Sequence, residues 1–376
     1  VYHCPETPYT RQPRRFLPRL RRPNIRAKIP PTFRSLTGNM KTPPKAIITG
    51  VTGQDGSYLA ENLLVAGFEV WGILRRSSNR SFENIQHLTV PSGHPHFALA
   101  VADLTDPVSV RSVLARVKPD YVYNLAAMSF VGASWEQPVL TTEVNTVAVV
   151  SLLEAVRDIC PEAHVYQAST SEMFGNSPGP QNEQTPMVPR SPYGVSKLAA
   201  HRMARVYRES HNLWVTCGIL FNHESPRRGM EFVSRKVAHG VVQIAAGKET
   251  VLHLGNLSAR RDWDYAPDYV EAMRLMMERD IPDDFVIGTG VSNTVRDLVE
   301  LAFGIAGIRD WETHCIGGEV GHMRPAEVYN LVADAGKARE LLGWQPKTNF
   351  ATLVDTMVMA ECEREKWYPV RGSCQR

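Results

Sequence analysis

The chain has 376 residues, 43% of them hydrophobic and 22% charged, with a formal net charge of +3. That balance can bury a large core in one or two domains, and it excludes a disordered, collagen-like or small disulfide-stapled protein. The charge is uneven: residues 1–40 carry eight arginines and one lysine against a single acid, Glu6, so the rest of the chain is mildly acidic. The overall charge is therefore no argument for nucleic-acid binding by the folded part.

Residues 1–40 hold seven prolines and show no 3.6-residue periodicity, so they are expected to be a disordered basic extension. A basic arm for nucleic acid or an anionic membrane is one reading. A transit peptide is another, but Pro13, Pro18 and Pro23 obstruct the amphipathic helix it needs. The favoured expectation is a non-functional extension, with Met40 as the natural start and no nucleic-acid partner. The cysteines (Cys4, Cys160, Cys217, Cys315, Cys362, Cys374) form no C-x-x-C pair and no zinc-ligand spacing. That predicts a reducing, cytoplasmic compartment and no metal site. No uninterrupted apolar stretch approaches the roughly 20 residues of a spanning helix, so no membrane association is expected.

Lys45–Thr49 reads as a short buried strand running directly into Gly50-Val-Thr52-Gly53-Gln54-Asp55-Gly56, after which Tyr58, Leu59, Leu63 and Leu64 mark a helix. Strand, glycine turn and helix are the setting of a dinucleotide cradle. The first glycine allows the tight turn, the second lets backbone approach a pyrophosphate, and the third lets the helix pack on the sheet. The G-x-x-G-x-x-G spacing points to the short-chain dehydrogenase/reductase variant. The next strand, Phe68–Leu74, ends in Arg75-Arg76-Ser77-Ser78, where an NAD site usually places an acid on the ribose 2′-hydroxyl. Two guanidiniums and two hydroxyls suit a 2′-phosphate, so NADP is expected over NAD. A solvated basic loop end is the plainer alternative.

His96–Val101 is a strand closing on Asp103 and Leu104, where the acid can accept from an adenine amino group. A helix is predicted around residues 106–117. Tyr121–Leu125 is a strand opening into Ala126, Ala127, Met128 and Ser129, where small side chains let backbone sit close to a cofactor. This alternation predicts an α/β fold: a Rossmann-like, doubly wound parallel sheet with its ligand site at the strands' C-terminal ends.

The strand His164–Ser169 runs into Thr170-Ser171-Glu172. In extended chain, residues i and i+2 share a face, so Thr170 and Glu172 are expected to point together at the active edge; a turn cap is the bland alternative. Tyr193 and Lys197 lie four apart in Ser191–Lys197, at the start of a helical pattern reaching about His211, hence one turn apart on one face. A phenol is a poor base near neutrality, but a fixed ammonium with a nicotinamide cation nearby favours phenolate. Lys197 can also bond the nicotinamide ribose.

Beyond these signals, Ile48–Leu59, Arg75–Ser78, Tyr166–Glu172, Gly218–Gly229, Gly255–Leu257, Arg261–Trp263 and Arg324–Glu327 resemble the GDP-mannose 4,6-dehydratase family of extended short-chain dehydrogenases/reductases. The resemblance runs from about Lys45 to about Ala360. It implies a mainly NADP-binding Rossmann domain over 41–222. A smaller substrate lobe over 223–376 is interleaved with late Rossmann elements, and a disordered tail follows about residue 366. It implies loss of water across C5–C6 of GDP-mannose. Tyr193 takes the 4-hydroxyl proton as C4 passes hydride to the nicotinamide; Glu172 takes the acidified C5 proton; Thr170 and Glu172 assist loss of the 6-hydroxyl; and the hydride returns to C6. Arg261 and Arg324 are placed near the diphosphate and guanosine, and Asn222 and Lys236 near the nucleotide sugar. Ser129 and Glu327 join the substrate side, and His223 and Arg228 the cofactor side. The Ser77–Asn84 segment resembles a loop reaching a neighbouring subunit, which implies a dimer or tetramer.

Three departures from the family stand out. Met128 replaces an expected Gln, Asp264-Tyr265 replaces a small or aromatic pair, and the stretches Asn176–Val188 and just before Arg324 are short. His253 and His314 are expected to be structural. The rival readings are an NADPH-dependent GDP-4-keto-6-deoxyhexose reductase, a dehydratase or epimerase of another nucleotide sugar, and a non-catalytic NADP-binding regulator.

Overall fold

Along Lys45–Thr49, Ala46 and Ile48 face one core and Ile47 the other, and this period-two alternation divides the two sides of the central sheet. In the computed structural model, residues 42–76, 82–89, 93–318 and 324–369 are described. The expectations for residues 1–40, for Ser77 and Ser78 with most of their loop, and for the final residues fall outside them.

The strands are, in chain order, β1 (Lys45–Thr49), β2 (Glu69–Leu74), β3 (Phe97–Val101), β4 (Tyr121–Asn124), β5 (His164–Thr170), β6 (Val215–Leu220) and β7 (Asn222–Glu224). Then follow β8 (Leu252–His253), β9 (Arg260–Tyr265), β10 (Asp284–Ile287), β11 (Ser292–Thr294), β12 (Cys315–Ile316) and β13 (Asn330–Leu331). Seven form one sheet in the order β10-β6-β5-β4-β1-β2-β3, parallel throughout. The order reverses between β1 and β4, the switch point where such sheets open a crevice. Helices Gln54–Val65 and Ala266–Met277 cover one face; Pro107–Val117, Ala148–Ile159 and Pro192–His211 cover the other. The doubly wound α/β expectation is met, and β10 brings a strand from late in the chain to the sheet's edge.

A second sheet places β9 between β11 and β13, with β7 also pairing β9. Because β7 leaves β6 after a single residue, Phe221, this sheet is tied directly to the strand beside the first sheet's edge. Helices Val233–Ala245, Val295–Ile305 and Phe350–Glu365 build a separate core over it. The Thr294 side chain accepts from Asp297 N while Asp297 accepts from Thr294 N, a reciprocal cap that starts the Val295–Ile305 helix.

The helical run Pro138–Ile159 needs a correction to the sequence reading. Although Glu143 and Asn145 interrupt it, it is long and apolar enough, by length and composition, to cross a membrane. Its second half buries Ala148, Val149, Leu152 and Leu153 against the sheet. Among the described residues the four cysteines are free thiols. His314 Nδ1 lies 3.0 Å from Thr250 O, and its ring stacks on Phe303.

Candidate active site

The glycine turn is closed by contacts that no side chain would tolerate. Gly50 has φ +68°, and a Cβ there would lie 3.0 Å from Ala126 Cα. A Cβ on Gly56 would lie 2.3 Å from Gly50 O, so the helix can rest on the turn only because that residue is glycine. Gly53 caps the helix with no side-chain hydrogen bond, so the first-turn amides are not taken by a cap. Such a turn, with amides open at a helix N-terminus, fits a pyrophosphate. The residues present therefore suit a dinucleotide.

A cleft of about 1020 Å³ opens at the switch point. It is lined by the cradle residues Gly50, Thr52, Gly53, Gln54, Asp55 and Gly56, and by Arg75, Asp103 and Leu104. Leu125, Ala126, Ala127 and Ser129 form its β4 side, and Thr170, Glu172, Tyr193 and Lys197 its floor. Asn222, His223, Arg228, Lys236, Arg261, Arg324 and Glu327 close it from the second lobe. Arg76 is exposed and does not line the cleft; Ser77 and Ser78 are outside the described residues.

Several side chains spend their polar atoms on the protein. Asp103 Oδ1 accepts from Thr105 N and Oγ1. Gln54 Nε2 donates to His223 O, and Gln54 Oε1 accepts from Ser225 Oγ. His223 Nε2 lies 2.9 Å from Asp55 Oδ2. Arg228 sits over the Phe232 ring at 3.5 Å and pairs with Glu224 at 3.0 Å. These contacts staple the glycine cradle to the second lobe.

The strand argument for Thr170 and Glu172 needs correcting. β5 ends at Thr170, and Glu172 lies on a tight turn, Ser171–Met173, that Thr170 caps by accepting from Glu172 N at 3.2 Å. The cap and the presentation of Glu172 to the cleft are one device. Ser191 accepts from Gly194 N at 3.0 Å, and Pro192 opens the helix that carries Tyr193 and Lys197. Burial pushes the Tyr193 phenol up to about 12, opposed by a hydrogen bond from Thr170, with Glu172 raising it and Arg228 lowering it. Lys197 is drawn down to about 8 by burial, and its Nζ donates to Ala168 O at 2.5 Å. The sequence reading credited Lys197 with activating the phenol; among the protein groups, Thr170 and Arg228 pull in that direction.

Arg261, buried in β9, donates Nη1 to Arg260 O and Val328 O, each at 2.8 Å. Its Nη2 lies 3.7 Å from Glu327 Oε1 and 4.0 Å from Glu172 Oε1. Arg324 Nη1 donates to Glu172 Oε1 at 3.1 Å. Residues expected to grip substrate thus also hold the candidate base.

Asn145 is a buried positioning residue that the motifs do not reveal. It sits in a widened π turn, Glu143–Val147, inside the apolar run. It accepts from Met128 N and donates to Met128 O and to Ser196 Oγ, clamping the β4 loop to the catalytic helix. A polar residue inside an apolar helix is the signal that could have found it. Met128 lines the cleft, and its backbone is what Asn145 holds. Asp264 is buried in β9 opposite His223, and burial pushes its carboxyl up to about 7.

Spacing along the chain also hides, among the described residues, a cluster of metal-ligand type: His201, Cys217 and Asp284 converge. Arg208 bonds both carboxylate oxygens of Asp284, at 2.9 and 3.1 Å, and already supplies the cation there.

The sequence profile of the GDP-mannose 4,6 dehydratase family matches residues 47–357. The chain belongs to the GDP-mannose 4,6-dehydratase family. GDP-mannose 4,6 dehydratase 1 of Arabidopsis thaliana is 47% identical over 343 residues, covering 89% of this chain and 94% of the relative. The Homo sapiens GDP-mannose 4,6 dehydratase is 43% identical over 365 residues, covering 91% and 98%. Among solved structures, the dTDP-glucose 4,6-dehydratase DesIV of Streptomyces venezuelae, with NAD and TYD bound, superposes with a TM-score of 0.76 at 24% identity. That match covers 86% of this chain and 98% of DesIV, and it supports the fold. The UDP-glucose 4-epimerase of Thermus thermophilus, complexed with NAD, gives a TM-score of 0.73 at 26% identity, covering 84% and 98%. In this member of the 4,6-dehydratase family, one cleft brings together Tyr193, Lys197 and the carboxylate of Glu172.

Proposed function

We propose that the chain converts GDP-mannose to GDP-4-keto-6-deoxymannose and water, with NADP tightly held in the cleft. The observation that carries the reading is Glu172, a nearly buried carboxylate on a capped turn in the same cleft as Tyr193, Thr170 and Lys197. A simple alcohol dehydrogenase or 4-epimerase needs no base at C5; a dehydratase does.

A bound nicotinamide supplies a hydride acceptor at C4 and a hydride donor at C6, so nothing is consumed overall. Tyr193 holds and removes the 4-hydroxyl proton, with Thr170 hydrogen-bonded to the phenol. Oxidation at C4 acidifies the C5 hydrogen, and Glu172 collects that proton and delivers one to the departing 6-hydroxyl; C5 regains a proton as hydride enters C6, which balances the proton that Tyr193 took from the 4-hydroxyl. Lys197, anchored on Ala168 O, orients the cofactor ribose. Arg261 and Arg324 offer guanidinium forks to a diphosphate. Arg75 at the end of β2, with Arg76 and the two serines beyond it, supports NADP over NAD. A cytoplasmic homo-oligomer, dimer or tetramer, completes the reading.

The test is incubation with GDP-mannose carrying deuterium at C4. The expected product has lost one water, carries the deuterium on its C6 methyl group, and forms with no net absorbance change at 340 nm. A reductase instead consumes NADPH stoichiometrically. Deuterium released to solvent contradicts the proposal, and equal affinity for NAD and NADP, unchanged in Arg75→Ala/Arg76→Ala, contradicts the cofactor assignment.

A further inference from the structure

Four charged side chains meet on the substrate side of the cleft: Glu172, Glu327, Arg261 and Arg324. Two guanidiniums face two carboxylates, so the group is electrically balanced before any ligand is considered. A diphosphate brings further negative charge and seeks the same planar donors. It must therefore compete with a carboxylate for at least one arginine. Arg261 is poorly suited to change partner, because it is buried and two carbonyls fix one of its nitrogens. Arg324, with a side chain 33% exposed, is the less constrained of the two arginines. The Glu172 backbone stays in place, because Thr170 caps the turn that carries it.

We propose that Glu172 and the diphosphate of the nucleotide sugar compete for Arg324, so that docking of the diphosphate releases the carboxylate for proton abstraction. This rests on the nucleotide-sugar reading above and adds a coupling between recognition and chemistry. A carboxylate oxygen that accepts from a guanidinium is occupied, and loss of that partner frees it to meet the C5 hydrogen. Tight diphosphate binding then does more than hold substrate. It converts part of the binding free energy into a free carboxylate oxygen at the reacting carbon. A sugar phosphate without the nucleoside diphosphate leaves Arg324 on Glu172 and is a poor substrate even at saturation.

The competition can be read without turnover, from a double-mutant cycle on GDP binding to the cofactor-loaded enzyme by calorimetry. Glu172→Gln keeps the shape and removes the competing charge, so it should bind GDP roughly tenfold more tightly than wild type, by reciprocal linkage. In an Arg324→Gln background the same change should leave GDP affinity unmoved, and guanosine affinity should not change in any variant. Thermal melting and NADP binding confirm folding; should Glu172→Gln fail to fold, Glu172→Ala carries the same cycle. Unchanged or weaker GDP binding by the Glu172 variant overturns the proposal, and so does tightening that persists without Arg324, which marks a general charge effect. A wild type that binds GDP and dehydrates GDP-mannose while the cycle fails loses this inference alone. A wild type that does neither loses the nucleotide-sugar reading and the inference with it.

Discussion

His223 Nε2 and Asp55 Oδ2 lie 2.9 Å apart although 168 residues separate them, so one ion pair joins the glycine cradle to the strand that begins the second lobe. Burial opposes both charges, but attraction and the shared hydrogen bond outweigh it: Asp55 is held at about 2, and His223 is raised above its ordinary value. The depressed Asp55 stabilises the fold above the ordinary carboxylate range, and that contribution is lost as pH falls toward 2. The raised His223 contributes fully below about 6.5, and its contribution is lost as pH climbs through its raised value. His223→Gln should therefore cost on the order of 1–2 kcal/mol near pH 5. The difference in melting temperature from wild type should shrink toward pH 9; a difference that grows with pH contradicts the pairing.

The cradle predicts a backbone clash. A methyl group on Gly56 would meet Gly50 O at 2.3 Å, and neither atom belongs to a flexible side chain. Gly56→Ala should destabilise by about 1–3 kcal/mol in urea unfolding and lose most dinucleotide affinity by fluorescence titration. Normal cofactor binding in a folded variant contradicts the assigned role of the turn.

Thr170 serves two partners, the Glu172 amide and the Tyr193 phenol. Thr170→Val keeps the shape and removes both bonds, so kcat should fall by about 10²–10³-fold with little change in KM. The Tyr193 phenol should rise further, moving the pH at which activity is gained to a higher value, and Thr170→Ser should restore most of the rate. A Val variant with wild-type kcat would show that the hydroxyl only caps the turn.

Arg208 and Asp284 form a largely buried fork beside His201 and Cys217. Arg208→Met leaves the carboxylate without its cation and should cost about 3 kcal/mol by chemical denaturation. Zinc should not raise the melting temperature of wild type, because the guanidinium already holds both carboxylate oxygens. A zinc-dependent rise would identify the cluster as a metal site.

Much of the fold was legible because its causes are local. Period-two apolar runs, glycines at fixed offsets and a Ser-Pro helix start each act within a few residues, so β1, the cradle and the Pro192–His211 helix could be placed from the chain alone. The β5 edge shows where that fails. Alternation predicted Thr170 and Glu172 on one strand face, but the Thr170 hydroxyl can bond the Glu172 amide and ends the strand at Thr170 itself. The candidate site was reached through motif resemblance, while Asn145, which carries no motif, was missed.

The order of residues by itself determined the alternating sheet, the dinucleotide turn and the identities of Thr170, Glu172, Tyr193 and Lys197, because those depend on neighbours one helical turn or one strand pleat away. Only the tertiary structure decided the partners: His223 with Asp55, Arg208 with Asp284, Arg324 with Glu172. Charges separated by 76 to 168 residues meet only once the sheet order is set, and burial then governs how strongly they pair.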